Sequence, residues 1–186
     1  MKIKGFVLTA IATLMMFLVV VPSFATARTG AEEAEVRSVL DRAFRQLRAG
    51  EYDRLYDALP STSQRRISRA RFVKALEQTR GMYELNRLEI NRLSVSGDVA
   101  AVDTTLYGRV RAPFEGEGKV TARQYLLREY GEWRVATGER STVRRLLADQ
   151  PQLARRFPPS EPRVYVKRDG RWTDVGPIGS LRRAVR

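Results

Sequence analysis

Residues 88–107 read LEINRLSVSGDVAAVDTTLY, and their spacing decides the fold. Leu88 and Ile90 alternate with polar neighbours, Leu93 and Val95 alternate on the shifted phase, and Ser96-Gly97-Asp98 is a turn. A period of two marks strands, and the phase change predicts a bulge near Asn91-Arg92. The strand that follows, over 99–111, carries Ala100, Val102, Thr104, Leu106 and Val110 on one face and Asp103, Thr105, Tyr107 and Arg109 on the other. That alternation predicts one face for a core and one for water. Pro113, Gly116 and Gly118 punctuate a loop, and residues 120–129 and 133–137 then form a hairpin around Tyr130-Gly131.

Upstream the period is helical. Val36, Val39, Leu40, Ala43, Phe44 and Leu47 predict a helix from Ala31, with Glu32, Glu33 and Glu35 near its first turn and Gly50 as its stop. A short helix over 51–59 places Tyr52, Leu55, Tyr56 and Leu59 on one side and ends at Pro60. A third begins at Ser68, a suitable N-cap, and runs through Phe72, Val73 and Leu76 to Gly81. Helices followed by an antiparallel meander form the α+β pattern in which the helices cover one face of the sheet. The expected core is Phe44, Leu47, Phe72, Leu76, Val102, Leu106, Leu126, Trp133 and Val135.

This order of elements, with RAGEYDRLYDAL at 48–59 and YLLREYGEWRVATG at 125–138, resembles the nuclear transport factor two-like superfamily, also called cystatin-like or SnoaL-like. The resemblance covers residues 31–138. It implies N-terminal helices packed on a curved antiparallel sheet in a cone, with a cavity between helices and sheet. Members of that superfamily include isomerases, dehydratases, ligand-binding domains and assembly domains, so the resemblance implies a fold and leaves function open.

The N-terminus reads as an export signal. Lys2 and Lys4 precede an apolar run from Gly5 to Val21, Pro22 breaks it, and Ala25-Thr26-Ala27 offers the small residues of a cleavage site. Residues 1–27 are therefore expected to be a signal peptide, and the mature protein periplasmic or secreted. The alternative is an inner-membrane anchor formed by residues 5–21.

With no Cys and no His among 186 residues, a thiolate nucleophile, a disulfide, an imidazole base and a His/Cys zinc site are all excluded. No cofactor or metal is expected. The formal charge of +13 comes mostly from arginine, 29 against 5 lysines. Residues 139–186 hold 12 basic and 5 acidic side chains, whereas residues 28–138 hold 20 and 16. This basic extension predicts a helix with Val143, Leu146 and Leu147, a second restarting at Gln150-Pro151 with Leu153, Ala154 and Phe157, a hairpin around Asp169-Gly170, and a tail from Leu181. The echo between LLREYGEW at 126–133 and YVKRDGRW at 165–172 places Arg128 opposite Trp133 and Lys167 opposite Trp172 if both turns have two residues, each a cation over an indole.

Two candidate sites follow. Thr104 and Gln124 are polar on an apolar strand face, and with Tyr52 and Tyr56 they can line a ligand cavity. Arg144, Arg145, Arg155 and Arg156 fall between the apolar positions of the extension and can face an anionic lipid or polymer surface, or an acidic envelope protein. Asp53 and Asp57, one helical turn apart, read as a solvated pair, and no catalytic residue is assigned. Nucleic acid is disfavoured as a partner by export and by the few aromatic residues in the basic stretch, while homodimerisation through the outer sheet face stays open. The leading expectation is an exported, non-catalytic binding or assembly module that takes a small apolar ligand in the cone or a partner on the extension. The alternative is a small-molecule isomerase or hydratase acting inside the cone.

Overall fold

The structure, a computed structural model, describes residues 24–111, 115–136 and 140–177. Four helices come first, α1 (Phe24–Ala49), α2 (Tyr52–Asp57), α3 (Ser61–Gln64) and α4 (Arg69–Arg80). Strands β1 (Tyr83–Ser96), β2 (Val99–Val110), β3 (Gly116–Glu129) and β4 (Glu132–Ala136) follow. Helices α5 (Arg140–Ala148) and α6 (Pro151–Arg156) and strands β5 (Arg163–Arg168) and β6 (Arg171–Pro177) complete the described residues. Helices on a curved antiparallel sheet are the α+β arrangement that the superfamily resemblance implies.

Local chemistry sets most boundaries. Gly50 ends α1 at φ +79, with the Glu51 amide donating to the Gln46 carbonyl at 2.9 Å and the Gly50 amide to that of Leu47 at 3.3 Å, a Schellman-type stop. Ser68 caps α4 by accepting from the Arg71 amide at 3.4 Å. The β1–β2 register slips between Ile90 and Arg92, at the expected bulge, and again between Leu85 and Arg87. Helix α1 starts at Phe24 rather than Ala31, so Glu32 and Glu35 lie beyond its first turn and reach Arg128 on β3 instead. The apolar run Gly5–Val21 lies outside the described residues, as does the tail from Leu181. Among the described residues no helix is long and apolar enough to cross a membrane.

All six strands form one antiparallel sheet in the order β1-β2-β3-β5-β6, with β4 also on β3. Strand β3 gives one edge to β2 along its length and divides the other. Tyr125–Glu129 pair with β4, and Gly118–Thr121 pair with β5. The extension is thus continuous with the sheet.

Both faces of the sheet are covered. On one, Val36 and Leu40 of α1 pack on Ala100, Val102, Leu126 and Trp133. On the other, Val143 and Leu147 of α5, Leu153 of α6 and Phe157 cover Val99, Ala101, Tyr125 and Ala136. This corrects the expectation that the second face of β2 meets water. Ala101 is small enough for the helices to approach, and the polar groups beside it are bonded: Asp103 to Arg123 at 2.6 Å, Asn91 to Thr105 at 2.9 Å, and Tyr107 to Glu89 at 2.9 Å. The expected core is corrected as well. Val102, Leu126 and Trp133 are buried with Val135 at their margin, whereas Phe44, Leu47, Phe72, Leu76 and Leu106 are half-buried. Phe72 instead meets Tyr56 edge-on at 5.7 Å, so α4 leans on α2 and buries no residue fully.

Candidate functional site

The four residues expected to line a cavity part company. Thr104 and Gln124 do share the α1-facing side of the sheet, one step apart in register, Thr104 opposite Ala122 and Gln124 opposite Val102. The Thr104 hydroxyl donates to the Ala122 carbonyl at 3.1 Å, so a protein partner already satisfies it. The Tyr56 hydroxyl lies 3.0 Å from the carbonyls of both Gln64 and Ile67, which ties α2 to the segment before α4. Tyr52 lines a cleft.

That cleft, about 890 Å³, lies where the end of α1, the start of α2, the end of α4 and the start of β1 converge. Leu47, Leu85 and the rings of Tyr52 and Tyr83 give it apolar walls, and Arg48, Arg80 and Arg111 bring charge. Tyr52 is only 4% exposed. Burial raises its pKa above the usual tyrosine range, with Tyr83 adding to the shift and Arg80 opposing it. The Arg80 guanidinium rests on Gly50, where an added Cβ would stand 2.9 Å from its Cζ. Arg111 is held by Glu84 at 3.1 Å. Sequence reasoning singled out Tyr52 and missed these arginines, because the turns that bring residues 48, 80 and 111 together leave no common spacing.

A second cleft of about 570 Å³ runs between α1, α2 and the β3–β4 turn, with Arg42, Gln46, Arg54, Trp133 and Arg134 in its wall. Gln46 Oε1 is buried there without a hydrogen-bond partner. Beside it, Trp133 donates to Glu35 at 3.2 Å and the Arg128 guanidinium lies 4.5 Å from the indole centre. Arg128 pairs with Trp133 across a two-residue turn with Tyr130 and Gly131 at positive φ, as the echo required. Lys167 likewise faces Trp172 across Asp169-Gly170, although Lys119 approaches that indole more closely, 4.7 against 6.0 Å.

On α5 and α6 the apolar stripe is consumed by the sheet, which leaves Arg144, Arg145, Arg155 and Arg156 exposed. Arg144 and Arg145 have no hydrogen bond or ion pair among the described residues. Phe157 anchors this layer: it is fully buried, with the guanidinium carbons of Arg92, Arg123 and Arg156 at 4.8, 5.3 and 5.9 Å from its ring centre. Arg123 also donates to the Pro158 carbonyl.

Two of the aspartates are engaged by arginines. Asp103, on the α5–α6 face, takes Arg123 through both oxygens at 2.6 and 3.2 Å and has Arg92 at 3.9 Å. Asp57 is bonded by Arg69, which also lies 3.9 Å from Asp53. No acidic cluster with the makings of a metal site occurs among the described residues.

No family model matches the chain, and no curated protein matches it. Solved structures similar to it share little sequence. One is an NTF2-like transpeptidase candidate from Campylobacter jejuni, with 9% identity and TM-score 0.41, covering 54% of this chain and 96% of that one. A conserved protein from Planctomyces limnophilus has 16% identity and TM-score 0.41, covering 58% and 95%. An NTF2-like protein with a cystatin-like fold from Novosphingobium aromaticivorans has 17% identity and TM-score 0.43, covering 66% and 92%.

Proposed function

We propose that this chain is an exported, non-catalytic binding module that meets an anionic surface of the cell envelope through the outer side of α5–α6. The observation that carries this reading is the division of labour on those helices. Val143, Leu147, Leu153 and Phe157 are spent on the sheet, while Arg144, Arg145, Arg155 and Arg156 face outward and intramolecular ion pairs take up none of the charge of Arg144 and Arg145 among the described residues. Arginine suits phosphate-bearing surfaces because its planar fork bonds two oxygens at once. An isomerase or hydratase inside the cone needs a carboxylate able to move protons there, whereas Asp103 of β2 lies on the α5–α6 face and is bound by Arg123.

Co-sedimentation of the mature protein with vesicles tests the reading. Binding to phosphatidylglycerol-containing vesicles in roughly 0.05 M salt, lost in roughly 0.5 M salt and absent on neutral vesicles, is the expected result. Equal binding to both vesicle types, or to neither, contradicts it.

A further inference from the structure

We propose that the cleft at Tyr52 binds a small organic monoanion, a carboxylate on an apolar body, with Arg80 as its charge partner and the Tyr52 hydroxyl as a hydrogen-bond donor. The site shares no residue with the α5–α6 face and stands independently of it.

Two observations converge there. Tyr52 is 4% exposed, yet its hydroxyl stays accessible and bonds to no other described residue, so it can donate into the cleft. A phenol is protonated, hence a donor, at neutral pH. Arg80 is the second observation. Its head group is seated on the backbone of Gly50, at contact distances of 2.9 to 3.1 Å from the place a Cβ would take, and the positive φ of that residue already favours glycine. That guanidinium is exposed and makes no hydrogen bond or ion pair among the described residues, so an anion need displace no partner to reach it.

The remaining walls select the ligand. Leu47, Leu85 and the rings of Tyr52 and Tyr83 suit an apolar body. Arg48, Arg80 and Arg111 share the lining with Glu77 and Glu84, so it carries one net positive charge. Arg111 is already matched by Glu84 and Arg48 reaches the Asn86 carbonyl at 3.5 Å, which leaves Arg80 as the available cation. Glu77, one helical turn before Arg80, repels a second negative charge and thereby selects against dianions.

Hexanoate, its uncharged analogue hexanamide and the dianion adipate, titrated into full-length mature protein and followed by amide shifts in NMR, test the site. Hexanoate is expected to shift the amides of Gly50, Gly81 and Asn86 saturably and to bind about tenfold or more tightly than either comparator. Arg80→Gln should weaken hexanoate about tenfold, and Tyr52→Phe about threefold to tenfold, with the thermal midpoint of each variant confirming its fold. Equal affinity for hexanoate and hexanamide, saturable shifts at other amides only, hexanoate affinity unchanged in a folded Arg80→Gln protein, or no saturable shift would each overturn the proposal.

Discussion

The Tyr125 hydroxyl on β3 donates to the Phe157 carbonyl at the end of α6 at 2.9 Å, and both residues are buried. This bond joins the sheet to the segment that presents the arginines. Around it, Arg123 binds Asp103 on β2 and the Pro158 carbonyl, so the α5–α6 layer is clamped at the point where α6 ends. The basic face is consequently held in a fixed relation to the sheet.

Phe157→Ala should cost about 3–5 kcal/mol, the range for emptying a well-packed aromatic site. Because Phe157 packs in one cluster with residues of β2, β3 and β4, urea unfolding should remain a single transition by both circular dichroism and Trp133 fluorescence. A separate early step that leaves Trp133 unperturbed would mean that the extension docks as an independent unit.

Tyr125 makes the same joint sensitive to alkali. Burial raises its pKa above the usual tyrosine range, with Arg123 opposing the shift. The group therefore contributes stability that is fully present below about pH 10, where the unfolded chain's tyrosines begin to ionise, and lost as pH rises through the folded value. Tyr125→Phe should cost about 1 kcal/mol near neutrality and lessen the fall in urea midpoint above about pH 10. An identical alkaline profile in the variant would place the sensitivity elsewhere.

Two glycines separate backbone demand from space. Gly50→Ala meets both a positive φ and the Arg80 guanidinium and should cost roughly 1–2 kcal/mol. Gly30 lies within α1 with nothing within 4 Å of an added Cβ, so Gly30→Ala should add roughly 0.5–1 kcal/mol. Thermal melts of the pair suffice, and shifts of the same sign would refute the distinction.

Much of this architecture was legible because local rules governed it. The Ser68 cap, the Gly50 stop, the slip at Asn91 and the paired turns at Tyr130-Gly131 and Asp169-Gly170 each follow from residues a few positions apart. The pairing of β5 with β3 was not legible, because Gly118–Thr121 meet Arg163–Val166 across more than forty intervening residues and short strands carry no mark of their partner. Asp103, Thr105 and Tyr107 imitated a water-facing strand because each polar group there has found a partner. Tyr52 was reachable from its place on a short amphipathic helix, but the arginines around it come from separate elements.

The proposed export makes a prediction about mass. The protein recovered from the periplasm should begin near Arg28, after Ala25-Thr26-Ala27. Intact-mass spectrometry that still includes residues 1–27 would instead indicate an anchor.

The central claim, that binding resides in the charge of the α5–α6 face, is tested most directly by replacing Arg144, Arg145, Arg155 and Arg156 together with Gln. Arg145, Arg155 and Arg156 also lie in last helical turns, where a cation favours the helix dipole, so the melting temperature must be measured alongside. The decisive quantity is the affinity of the folded variant for phosphatidylglycerol-containing vesicles in low salt. With about 1 kcal/mol for each basic residue near an anionic surface, the account predicts a loss of at least a hundredfold with the fold retained. An affinity within about twofold of the parent, in a protein that melts as the parent does, would contradict it.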